Sequence, residues 1–169
     1  FIDYLVPTPD KDAGSLLAFN TLLILSKAGF KITLLTYSDF SSQKSVNDIQ
    51  KLGVFYLRPK YVDDYLSRFG HKIDVIYGTR YNAYGYFLNI LKTKCIKAKF
   101  IFHTVDLAFL RETREFKLKK SSLTKKERIL RLEQINLLRK HELECMRKSD
   151  ISILTSKFEK NLLEKKYKI

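Results

Sequence analysis

Between residues 103 and 115 the chain reads His-Thr-Val-Asp-Leu-Ala-Phe-Leu-Arg-Glu-Thr-Arg-Glu. One histidine, one aspartate, two arginines and two glutamates follow directly on the β-rich run Lys99–Phe102. Ionised groups this dense at the end of a buried strand are costly to hold away from water, so they line a cleft more often than a core. Asp106 stands just past the strand, with Arg111 and Arg114 close enough in sequence to favour its charged form. Asp106 is therefore the first candidate for a functional role, with His103 as the second. His103 also reads as a core histidine with its hydrogen bonds satisfied, and Arg111 and Glu112 as a structural set with Glu142. The sequence leaves both alternatives open.

Two other segments carry chemistry of the same kind. Asp10-Lys-Asp12-Ala-Gly14-Ser15 follows the first apolar run. A glycine there lets the backbone approach a ligand, and the next helix would point its first amides at that spot. The same residues also read as an acidic turn with Ser15 as helix cap. It is no nucleotide fingerprint, since GxGxxG and the P-loop pattern are both missing. Gly78-Thr79-Arg80 closes another apolar run, and an arginine at a strand end can fork onto a carboxylate or phosphate, or simply make a surface ion pair. Thr155-Ser156-Lys157-Phe158-Glu159 has the spacing of a capping box, which is structural.

The elements that would position these residues follow from periodicity and breakers. Strands are expected at 1–6, 30–37, 54–57, 73–77, 99–105 and 151–155, with Pro7 and Pro9 ending the first. Helical spacing covers 15–28, 46–52, 61–69, 81–92 and 123–148, with Gly29, Gly53 and Gly70 as stops and Ser156 capping a last helix. The lysine- and serine-rich stretch 117–126 reads as a mobile surface loop. Short strands that are apolar on both faces, alternating with helices, require a mainly parallel sheet covered on both sides. The expected fold class is therefore α/β, a Rossmann-like, doubly wound domain of about six strands. Every motif above falls on a strand-to-helix turn, the edge where such sheets bind ligands.

Composition bounds the rest. The 169 residues suffice for one well-cored domain over 1–169 and are too few for two ordinary ones. At 45% apolar and 30% charged the chain is globular in composition, and no apolar stretch approaches the roughly 20 residues that span a bilayer. Cys95 and Cys145 form no ligand set, so no structural zinc is expected, and both are expected as reduced thiols. The formal charge of +14 has three readings: solvated lysines on every face, attraction to an anionic membrane, or nucleic acid. No RNP or helix-turn-helix pattern is present, so no nucleic acid is expected.

Residues 103–115 resemble the "YDTVDLHFLRE-R" element in the N-terminal domain of GT4-like, GT-B-type glycosyltransferases. Three further elements occur in the order that family requires. Asp10–Ser15 resembles its "D-x-D-S-G-S-x-R", with Ala13 for the serine and Leu16 and Leu17 where the arginine would stand. Thr79-Arg80 matches its strand followed by Ser/Thr-Arg. Residues 149–159 match "A-D-x-x-(I/V)-x-(V/T)-S-x-x-E", with Ser149 for the alanine. The family's histidine two places after the aspartate is Ala108 here. The resemblance implies one half of a GT-B fold, the acceptor-side domain, with the donor-binding C-terminal domain outside these residues and this piece inactive alone. It implies transfer of a sugar from a nucleotide-sugar donor to a glycan or lipid-linked acceptor, usually retaining and metal-independent, in bacterial cell-surface polysaccharide synthesis. The implied location is cytoplasmic, peripheral at the anionic inner membrane face. Asp106 and His103 would then be catalytic, and Asp12, Gly14, Ser15, Arg80, Arg111 and Glu112 would bind acceptor or ligand. A non-catalytic glycan- or protein-binding module is the alternative, favoured by Ala108 and by the lost arginine.

Overall fold

The computed structural model describes the whole chain, Phe1–Ile169. Six strands, β1 (Ile2–Asp3), β2 (Thr33–Thr36), β3 (Phe55–Leu57), β4 (Val75–Thr79), β5 (Lys99–His103) and β6 (Ile151–Ile153), form one sheet in the order β3-β2-β1-β4-β5-β6. Every pairing is parallel. The helices are α1 (Ala13–Lys27), α2 (Gln43–Gln50), α3 (Val62–Phe69), α4 (Tyr81–Lys94), α5 (Ala108–Lys119), α6 (Lys125–Arg147) and α7 (Lys157–Leu162), the last running into a π-helical turn at Leu163–Tyr167. This is the doubly wound, Rossmann-like architecture expected from the alternation of the sequence. No helix is long and apolar enough to cross a membrane.

Strand direction and side-chain alternation divide the core into two layers. Leu34 of β2 packs with Leu22 of α1 and Val46 and Ile49 of α2 on one face. Ile2, Leu35, Leu57, Ile76, Phe100 and Phe102 face the other side, against α3, α4 and the last turns of α6. The larger layer is anchored by Tyr84, whose ring stacks on Phe102 at 5.1 Å and 8°. Gly78 of β4 is there to let that ring in, since a Cβ would sit 1.9 Å from it. Cys95 and Cys145 are both free thiols within this layer.

Three expectations are corrected. β1 ends at Asp3 rather than Val6, because the Val6 amide donates to the Ser41 hydroxyl instead of continuing a ladder. Ser15 does not cap α1; Asp12 does, accepting from the Ser15 amide and hydroxyl at 2.9 Å each. Residues 117–126 are no mobile loop. A helix the sequence did not disclose, α5, runs to Lys119 with Phe116 buried beneath it, and Thr124 and Glu127 close a capping box on α6. α5 and α6 thus form an antiparallel helical hairpin, tied by Arg131 to Glu112.

Candidate functional site

The strand order reverses between β1 and β4, and at such a switch point the loops at the carboxyl ends diverge and leave a crevice. Here that crevice is built from the turns after β1 and β4. Arg80 lies across it, with Nε on the Asp3 carboxylate at 3.0 Å and Nη2 on Asp12 at 3.1 Å. Asp3 is 2% exposed, and burial raises its pKa despite the Tyr4 amide and the Arg80 charge, which both lower it. Burial therefore outweighs the ion pair there. Asp12 is more open, and the Ser15 amide, followed by the Ser15 hydroxyl and Arg80, holds it below the usual carboxylate range.

Gly14 is the tightest point of this rim. A Cβ on it would lie 2.8 Å from Arg80 Nη2 and 3.3 Å from a methyl of Val105, in the turn after β5. Turns from β1, β4 and β5 therefore meet at one glycine. Arg80 and Val105 both have positive φ, 55° and 64°. The Asp106 amide donates to the Thr104 carbonyl at 2.7 Å, so Val105 is the centre of a tight γ-turn. For a β-branched residue this is strained backbone, of the kind that concentrates at ligand sites. A cleft of about 440 Å³ opens beside the cluster, lined by Lys11, Asp12, Ser15, Ser42, Ser45 and Arg80 among others. Its charges and hydroxyls suit an anionic or polyhydroxylated ligand.

Asp12, Gly14, Ser15 and Arg80 are thus brought together, with Asp3 as a member the sequence reading missed. Its signal was a lone aspartate between Ile2 and Tyr4 in a strand otherwise apolar. The turn after β5 reaches the rim through Val105, and Asp106 follows with its carboxylate taken by Arg111. Arg114 does not join that pair; its guanidinium lies over the Phe158 ring at 5.6 Å. Glu112 is held by Arg131 and Arg111, so its carboxylate ties α5 to α6. His103 is 8% exposed, its Nδ1 is 2.7 Å from the Tyr77 hydroxyl, and burial lowers its pKa.

Glu142 is 1% exposed and joins neither Arg111 nor Glu112 in a hydrogen bond. It accepts from the amides of Ala108 and Phe109 at 3.1 Å each. Burial pushes its pKa up to about 7, against the pull of those amides. Glu159 takes the next amide, of Leu107, at 3.3 Å and also binds the Thr155 hydroxyl. Its carboxylate therefore does not complete the expected capping box, although its amide does donate to the Ser156 hydroxyl oxygen. No three His, Cys, Asp or Glu side chains gather as a set that could hold a metal. Comparison with family models, with curated proteins and with solved structures finds no match to this chain.

Proposed function

We propose that the chain is the acceptor-side, N-terminal domain of a GT-B-type glycosyltransferase. The single observation that carries this reading is the meeting of three strand-end turns at Gly14, where Arg80 bridges Asp3 and Asp12 at the switch point of a parallel sheet. The order of the four sequence elements adds to it. In the intact enzyme an acceptor hydroxyl attacks the anomeric carbon of a nucleotide sugar. The bond from that carbon to phosphate breaks, the nucleoside diphosphate leaves, and the hydroxyl gives up its proton. Arg80, Asp12 and Ser15 bind and orient the acceptor or a donor phosphate, with Gly14 allowing the close approach. Asp106, its direction fixed by Arg111, orients or deprotonates the hydroxyl. His103 is bonded to Tyr77 within the sheet layer. A charge of +14 suits an acceptor presented on an anionic membrane.

A second reading, a non-catalytic glycan- or protein-binding module, is favoured by Ala108. It stands where the family has a histidine, is buried, and has its amide committed to Glu142. Both readings are tested on the full-length protein with a panel of UDP-, GDP- and ADP-sugars and a membrane lipid extract. The expected result is donor-dependent transfer, with Arg80→Ala lowering kcat/KM at least about tenfold and Asp106→Asn abolishing turnover while the fold persists. Absence of any transfer or donor hydrolysis selects the module. Transfer unchanged by Asp106→Asn removes that residue from the site.

A further inference from the structure

Next to the Arg80 cleft, across Phe40, lies a second one of about 470 Å³ with different walls. Tyr4 and Phe40 line both, so the two compartments share a partition. The second is aromatic. Tyr4 stacks on Tyr37 at 5.4 Å, and Tyr37 meets Tyr86 edge-on at 4.9 Å. Phe40 is 93% exposed and Tyr86 67% exposed. Leaving these rings in water forgoes the gain of burying them, so the arrangement calls for an apolar or half-apolar surface to cover it.

Two observations identify that surface. The hydroxyls of Tyr56, Tyr65, Tyr77 and Tyr84 all bond within the protein. Those of Tyr4, Tyr37 and Tyr86 do not, and these three free hydroxyls border one cleft beside the exposed rings of Phe40 and Tyr86, whereas the unpaired hydroxyls of Tyr61, Tyr81 and Tyr167 lie outside it. The one charged lining residue is Asp39, whose carboxylate is paired with Arg58 at 3.6 Å. In a chain of net charge +14, a cleft lined by one carboxylate and no cation does not select phosphate, nucleotide or anionic lipid. Flat C–H faces that stack on aromatic rings, ringed by hydroxyls that bond tyrosine, Ser38 and Asp39, belong to neutral pyranoses.

We infer that the Tyr4–Tyr37–Tyr86 cleft is a carbohydrate subsite. One neutral sugar of a glycan chain stacks there, and the chain continues past Phe40 into the Arg80 compartment. This rests on the transferase reading and narrows its acceptor to a glycan with at least one uncharged ring.

The test is NMR on the 169-residue chain with cellotetraose, maltotetraose, chitotetraose and UMP as probes. At least one tetrasaccharide is expected to shift the Tyr37 and Tyr86 ring resonances saturably, while UMP does not. Tyr86→Ala should weaken that binding about tenfold, the effect of losing one stacking partner, and Tyr37→Phe should keep most of it. No saturable binding by any of the three sugars, binding indifferent to Tyr86→Ala, or UMP shifting the same rings each overturns the subsite. Transfer by the full-length protein without such binding sinks the subsite alone. Sugar binding without transfer sinks the enzymatic reading alone.

Discussion

At the start of α1 the carboxylate of Asp12 caps the helix from within its own turn, and Arg80 reaches over from β4 to the same carboxylate beside an open cleft. At the start of α5 the amides of Leu107, Ala108 and Phe109 are all taken, by Glu159 and Glu142, from elements later in the chain. Both are strand-to-helix turns on one sheet edge, and both contain a strained non-glycine residue or contact one. The richer charge density lies in the second, yet most of those charges are engaged within the protein: Asp106 with Arg111, and Glu112 and Glu115 with Arg131 of α6. The sparser turn holds the space. Counting ionisable residues locates a region of electrostatic importance; it does not separate a site from a brace.

The contrast can be broken by substitution. Glu142→Ala should cost about 3 kcal/mol in urea unfolding, since it leaves two buried amides without acceptors and a cavity beside them. The folded chain holds a proton on Glu142 that the unfolded chain releases between 4.5 and about 7. Stability should therefore fall as pH rises through that window and stay at the lower level above it, and Glu142→Gln should flatten the slope. Arg80→Ala should cost less, about 2 kcal/mol, because Asp3 loses its cation in a buried place but can take up a proton. A loss equal to that of Glu142→Ala would make the β1–β4 rim as much a brace as the other. Asp106→Asn should change stability by less than about 0.5 kcal/mol, as its pair with Arg111 is largely in water. A larger loss would mean that the pair holds the Val105 turn.

The sheet was legible because its strands are short, apolar and separated by proline and glycine stops, so that order and direction follow from few options. The cluster of Asp12, Gly14, Ser15 and Arg80 was legible as residues on turns of one edge. Asp3 was not, since nothing local distinguishes a rim aspartate from an interrupted strand. α5 was hidden because its cap is not local: Leu107 offers no side-chain acceptor, and Glu142 supplies it from 34 residues away. The aromatic cleft escaped for a related reason. Tyr4, Tyr37 and Tyr86 come from the ends of β1 and β2 and from α4, and only the crossing of those elements makes them neighbours.

The double clamp on the turn after β5 also sets an order of events in synthesis. Val105 emerges long before Glu142, and Glu159 follows 52 residues after the Leu107 amide it binds. Strands β1 to β5 can pair while that γ-turn is still free to relax. Only when α6 and α7 dock does the bend become fixed, so this rim should be the last part of the molecule to become protected against hydrogen exchange during refolding.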